Sequence, residues 1–434
     1  MKRWTWAIGC ALLAGVVVAG KTPEKAFFFQ DKDSVVFLGD SITEQKLYDV
    51  YLEAYTLTRF PDKTFHFRNV GWGGDTSWLR KRFNTDEKAL FAATGGVLDD
   101  LVTRAVAAGL ARDVLPHKPT AVTVKFGMND HAYQAFRPDI CRAYVRSQTE
   151  IVNVLKANGA RVALLTPQPI EDKKHTDAHD QNVKNQSLRQ FSDALKGVAD
   201  ATGAVYVDQF APYMSLMLKA RAANPEAHIG GGDAVHPGPA GHTLMAWAIL
   251  KQLNAPALVS CAKLDVSRRL RGKVVAAANC AVSSVKVKDG IVTFDRLDAA
   301  LPMPIDARAT AALALAPITD ELNQYCLAVA GLKADRYDLA IDGQKLATFT
   351  KAELADGVNL ATLPTPNAAQ SAQVLKLVFE KDGVYSERWR NVQLAGGPAE
   401  KLAELDKKIA DIEAQTALAR QPKLNHFELK PATP

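Results

Sequence analysis

From residue 27 to 255, short apolar runs alternate with longer amphipathic stretches. The runs are Val35-Val36-Phe37-Leu38, Ala121-Val122-Thr123-Val124, Val162-Ala163-Leu164-Leu165 and Ala204-Val205-Tyr206-Val207. Each is short enough for a strand and apolar enough to be buried on both faces. Between them, Ile140 to Asn158 and Leu188 to Thr202 read as helices closed by Gly159 and Gly203. Such alternation predicts an α/β fold, a doubly wound parallel sheet with helices on both faces. Ligands then bind beyond the carboxyl ends of the strands. Polar clusters directly follow two of these runs, at Gly39-Asp40-Ser41 and Gly127-Met128-Asn129-Asp130, so both are expected on that rim.

After Pro256 the texture changes. Cys280 to Phe294 alternates apolar and polar residues, and Asp289-Gly290, Asp342-Gly343 and Asp382-Gly383 separate strand-like runs. Asp-Gly in that setting predicts hairpin turns. A β-rich accessory region is therefore expected over 260–395, with helical pieces at Ala309 to Leu315 and Lys351 to Leu354. Residues 398–419 are charged and place Leu402, Leu405, Ile409 and Ile412 on one stripe, the pattern of an amphipathic helix docked on the body. The tail after Arg420 shows no pattern that predicts an element.

Residues 1–20 pair Lys2 and Arg3 with an apolar stretch ending in Val18-Ala19-Gly20, the layout of a signal peptide. A secreted or periplasmic location is expected, with no transmembrane anchor, because no later run approaches the roughly 18 apolar residues of a spanning helix. Removing Lys2 and Arg3 leaves 51 basic against 47 acidic residues and lowers the formal charge from +6 to +4. So small an imbalance gives no support to nucleic-acid binding. Beyond Cys10 the cysteines are Cys141, Cys261, Cys280 and Cys326. An oxidising compartment permits disulfides, and Cys261 with Cys280 is the favoured pair.

Two further clusters complete a set. Asn69-Val70-Gly71-Trp72-Gly73-Gly74-Asp75-Thr76 follows the first, and Asp233-Ala234-Val235-His236 comes last. Acyl transfer needs a nucleophile, a base to take its proton and an acid to orient that base. Ser41, His236 and Asp233 suit these roles, the last two being close enough in sequence to share one loop. The tetrahedral intermediate requires hydrogen-bond donors aimed at its oxyanion. Candidates are the backbone N–H groups of Ser41 and Gly74 and the side-chain amide of Asn129. Asp40 is read as a brace for the turn.

In order and spacing these four blocks resemble the GDSL, or SGNH, hydrolase family. The resemblance spans roughly residues 30 to 255. It implies Ser41 as nucleophile, Gly74 and Asn129 as oxyanion donors, His236 as base and Asp233 as its orienting acid. It also implies the flavodoxin-like fold and an esterase that uses no cofactor or metal.

Trp72 and Trp78 flank the Gly74 turn, and an exposed indole there would stack on a sugar ring as readily as a buried one would pack in the core. Trp72 and His131 are taken as substrate-binding candidates, with Tyr133 beside them. His175 and His179, among Asp172, Asp177 and Asp180, read as a solvated loop rather than a metal site. The expected substrate is a short O-acyl ester, acetyl foremost, on a polysaccharide or an acylated small molecule. A lipase-type or lysophospholipase-type acylhydrolase and a non-catalytic glycan-binding protein are the alternatives.

Overall fold

The computed structural model describes residues 26–172, 181–268 and 272–432. Residues 1–20, expected to be a signal peptide, and the histidines at 175 and 179 lie outside the described residues. Five parallel strands, β1 (Asp33–Gly39), β2 (Phe65–Asn69), β3 (Ala121–Lys125), β4 (Arg161–Leu165) and β5 (Val205–Val207), assemble in the order β2-β1-β3-β4-β5. This is the flavodoxin-like doubly wound order.

The central strands are buried on both faces, which is why they read as unbroken apolar runs. Val35 and Phe37 of β1, with Ala121, Ala163 and Leu165, face the helices Tyr48–Arg59, Phe210–Ala223 and Pro239–Gln252. Val36 and Leu38, with Val122, Val124, Val162 and Leu164, face Gly95–Asp113, Pro138–Ala157 and Val183–Thr202. The last of these helices stops where Gly203 takes φ 67°, the left-handed conformation that closes helices. Strand β2 was not legible as an apolar run, because His66 and Arg68 alternate with Phe65, Phe67 and Asn69 at the sheet edge.

Beyond residue 257 two sheets face each other across a shared core. The first contains β6 (Leu258–Asp265), β7 (Lys273–Ala278), β10 (Gln324–Ala330) and β13 (Val358–Asn359), in the order β13-β10-β6-β7. The second contains β8 (Cys280–Lys288), β9 (Ile291–Asp298), β11 (Arg336–Ile341), β12 (Gln344–Thr350) and β14 (Leu424–Pro431), in the order β12-β11-β14-β9-β8. Val259, Leu264, Leu327 and Val329 of one sheet meet Phe294, Leu339, Phe427 and Leu429 of the other. Asp289-Gly290 and Asp342-Gly343 turn hairpins as expected, linking β8 to β9 and β11 to β12.

Asp382-Gly383 does not. It lies inside the long helix Pro366–Ser386, which Thr365 caps and Pro366 opens. Val374, Leu377, Val378 and Tyr385 supply its buried stripe. Asp382 is itself buried beside Lys381 at 3.0 Å, and the Lys381 ammonium donates to both Glu53 oxygens at 2.6 Å. The helix is thus pinned to Tyr48–Arg59, and the local turn signal yields to tertiary packing. It continues as a π-helical turn, Glu387–Gln393, before the helix Ala399–Ala419 doubles back. That last helix buries Leu405, Ile409 and Ile412 of the expected stripe.

Two other readings are corrected. The tail after Arg420 forms β14, in the interior of its sheet between β9 and β11. Its polarity misleads: Leu424 is 61% exposed, while Asn425 is buried and donates to the Asn367 side chain at 2.8 Å. Cys261 and Cys280 are not bonded, and all four cysteines among the described residues are free thiols. The Cys280 thiol donates to the Cys261 carbonyl at 3.4 Å, whereas Cys261 is in register with Cys326 on β10.

Candidate active site

Strand β1 ends at Gly39, and Asp40 caps the short helix Ser41–Glu44 by accepting from the Ile42 N–H at 3.0 Å. The brace expected of Asp40 is what the geometry displays. Ser41 thereby stands on the carboxyl rim of the sheet. Its Oγ lies 2.9 Å from His236 Nε2, and His236 Nδ1 lies 3.1 Å from an Asp233 oxygen. The other Asp233 oxygen accepts from the backbone N–H groups of Val235 and His236, both at 2.7 Å, so the acid is fixed by the loop it serves. The carboxylate is held below its usual range: these hydrogen bonds and His236 outweigh the opposing desolvation. At 66% side-chain exposure its interaction with His236 is heavily screened by solvent.

The loop carrying the pair is anchored from behind. The Lys125 ammonium donates to Gln168, whose amide donates to the Val235 carbonyl, both at 2.9 Å. The Glu171 carboxylate accepts from Ile229 and Gly230. His242 accepts from the Tyr48 N–H at 3.1 Å through Nδ1, leaving Nε2 to donate to Gln45, whose amide reaches the Pro237 carbonyl. Burial pushes the His242 imidazole down to about 3, with Lys125 and His236 also opposing its charge. The unfolded chain takes up a proton near pH 6.5 that the folded chain refuses, so this stability is complete above that pH and is lost as pH falls. The melting advantage of wild type over His242→Gln is expected to shrink by roughly 2 kcal/mol between pH 7.5 and 5, at about 1.4 kcal/mol per pH unit below 6.5. A gap that stays constant would mean that the folded imidazole is protonated too.

On the other side of Ser41, the turn 72–75 is held by bonds from the Trp72 N–H to Gly39 O and from the Asp75 N–H to Trp72 O, both 3.0 Å. Gly74 has φ 74°, which strains any residue with a Cβ. Arg82, fully buried, binds the Asp75 carboxylate at 2.8 Å and Asp113 at 2.7 Å. Asn129 donates from its amide to the Asp75 carbonyl at 2.9 Å and accepts from the Tyr133 hydroxyl at 3.1 Å. Those partners orient its nitrogen, which retains a second hydrogen. Asp130 beneath accepts from the N–H groups of Ser77 and Gly127, and burial raises its carboxyl to about 7.

Ser41, Gly74, Asn129, Asp233 and His236 therefore converge from four separate segments. His131 does not line the cleft: it is 1% exposed with Nδ1 3.2 Å from the Gly127 carbonyl, and Tyr133 takes the exposed place over its ring. Trp78 is core, its indole N–H bonded to Glu87. Trp72, taken as a substrate-binding candidate, is half-buried, and the Arg390 guanidinium lies over its ring, 3.7 Å from the centroid. Arg390 and Glu44 were missed in the sequence because neither sits in a motif. Their juxtaposition depends on the helix Pro366–Ser386 packing on the parallel-sheet half through Lys381 and Glu53.

A Ser41–His236–Asp233 contact at the carboxyl edge of a 2-1-3-4-5 sheet goes with an SGNH-type hydrolase fold. Residues 37–244 match the GDSL-like Lipase/Acylhydrolase family. An acetylxylan esterase of Geobacillus stearothermophilus is 26% identical over 148 residues, 33% of this chain. The chain spans 63% of that relative's length. A gut microbial diltiazem-metabolizing enzyme has the same fold over 93% of this chain and 98% of its own, with TM-score 0.77 and 22% identity. That likeness takes in the appended sheets and helices as well.

Proposed function

We propose that the protein is an exported serine esterase that removes short O-acyl groups, acetyl foremost, from a carbohydrate. The observation that carries this reading is the continuous contact from Asp233 through His236 to Ser41 Oγ beside the Gly74 turn and Asn129. Ser41 Oγ attacks the ester carbonyl while His236 Nε2 takes its proton, and Asp233 holds the imidazole in the tautomer that accepts there. The N–H groups of Ser41 and Gly74 and the Asn129 amide stabilise the oxyanion. Collapse of the intermediate expels the alcohol, protonated by His236, and leaves an acyl-Ser41 that water hydrolyses by the same steps. Residues 27–255 carry this chemistry, and the region 260–395 is the accessory part.

Polar groups crowd the mouth. Glu44 stands against Gly73, Lys81 against Gly74, and Arg80 donates to the Gly74 carbonyl at 2.7 Å. Such a rim suits a hydroxyl-rich alcohol better than a long alkyl chain. The acetylxylan esterase relative supports the carbohydrate reading. Each methylene sheltered in an apolar tunnel would contribute about 0.8 kcal/mol, so a lipase-like site would gain efficiency along an ester series. Here kcat/KM is expected to fall from acetyl through butyryl to octanoyl nitrophenyl esters. Acetylated polysaccharide should release acetate. A steady rise toward octanoyl would replace the carbohydrate reading with a lipase-type one.

A further inference from the structure

The turn that presents the Gly74 N–H is not held by the catalytic half alone. Its indole, Trp72, is enclosed by cations and one aromatic edge: Arg390 at 3.7 Å, Arg112 at 5.3 Å and Arg82 at 5.6 Å from the ring centroid, with the Trp389 ring edge-on at 5.9 Å. Trp389 and Arg390 belong to the π-helical turn Glu387–Gln393, outside the family-matched residues 37–244. Arg390 also reaches Glu44, its guanidinium 3.5 Å from one carboxylate oxygen. The other Glu44 oxygen abuts Gly73, 2.7 Å from where a Cβ would sit, and Ser41 Cβ lies 4.0 Å from the same point. One guanidinium therefore touches both supports of the oxyanion turn, the indole of Trp72 and the carboxylate beside Gly73.

The chemistry of the contact favours a positioning role. A planar guanidinium stacked on an indole fixes the ring's tilt as well as its place, which the point charge of a lysine does not. Trp389, 2% exposed, is wedged behind it, with the Arg390 guanidinium 5.4 Å above its ring. Irregular π-helical turns commonly mark functional positions, because the extra residue redirects side chains that a regular helix would send elsewhere. Docking of the helix Pro366–Ser386 through Lys381 and Glu53 sets where this turn arrives.

The geometry points to Arg390 as a positioning residue for the proposed esterase reaction: the appended C-terminal region braces the oxyanion turn through Trp72 and Glu44, so that transition-state stabilisation depends on it. This inference rests on the serine-esterase reading of the same site. Arg390 makes no bond to the reacting groups and acts through the turn.

The test uses full-length protein and nitrophenyl acetate. Arg390→Ala should lower kcat roughly 10- to 100-fold, the size expected when a catalytic group is displaced by up to about 1 Å, while KM stays nearly unchanged. Arg390→Lys should fail to restore the rate, since it keeps the charge and loses the stack. Combining Arg390→Ala with Glu44→Gln should cost less than the two separate losses multiplied, because both act on one turn. Throughout, the melting temperature and the stoichiometric labelling of Ser41 by a fluorophosphonate should match wild type. Unchanged kcat in Arg390→Ala would overturn the inference. So would a loss matched by lower melting temperature and fewer labelled serines, which marks a structural role, or a loss confined to KM, which marks contact with substrate. These outcomes leave the esterase reading standing. That reading fails separately, if wild type hydrolyses no ester or if Ser41→Ala keeps its rate.

Discussion

Ser41→Ala is expected to reduce esterase kcat by about 10⁴ to 10⁶ while the melting temperature stays at the wild-type value. Losses of that size follow removal of a nucleophile that acts as a unit with its base, because what remains is the oxyanion donors and binding. The fold should not notice the change. Among the described residues Ser41 Oγ bonds His236 alone, and the cap on its helix comes from Asp40. Steady-state rates on nitrophenyl acetate, read beside a thermal melt, check both halves. Activity near wild type would remove Ser41 from the mechanism, and the rest of the catalytic assignment with it.

Asn129→Ala is the next largest expected effect, a reduction of kcat by roughly 10² to 10³, or about 2.7 to 4 kcal/mol, with KM little changed. The amide hydrogen left over after the bond to the Asp75 carbonyl is the one that an oxyanion would receive. Tyr133 holds the amide from the other end, so its direction is set before substrate arrives. That preorganisation is why the loss should fall on kcat. If kcat holds and KM rises instead, Asn129 binds the ground-state ester and the oxyanion depends on the two backbone N–H groups.

Much of this site was legible because it sits where the pattern of the chain is simplest. An apolar run buried on both faces, followed at once by Gly-Asp-Ser, reports a strand end, and Gly127-Met128-Asn129-Asp130 repeats the arrangement one strand over. Local rules suffice there, since strand, cap and turn chemistry agree. They fail where a distant segment decides. Asp382-Gly383 has a hairpin's residues, yet Glu53 and Lys381 meet across the interface and hold that segment helical. Leu424 and Asn425 reverse the usual rule of apolar inside, because Asn425 finds Asn367 in a buried network that also holds Asp298 and Tyr325. His131 illustrates a third failure. Adjacency to a motif suggested the cleft, but in the tight turn after Asn129 the His131 ring faces inward while Tyr133 is exposed.

The place of β14 also sets an order of assembly. Because Leu424–Pro431 lies between β9 and β11, those two strands have no partner along that flank until the chain has been made well past the helix Ala399–Ala419. The parallel sheet closes far earlier, as β5 completes it with Val205–Val207. During synthesis the half built on the parallel sheet can therefore form first, while the second sheet waits as two open edges, the kind of surface that recruits foreign strands. The guanidinium that covers Trp72 waits too, since Arg390 comes late in the chain. A nascent molecule would acquire its parallel sheet and the contact of Ser41 with His236 well before the segment that covers Trp72.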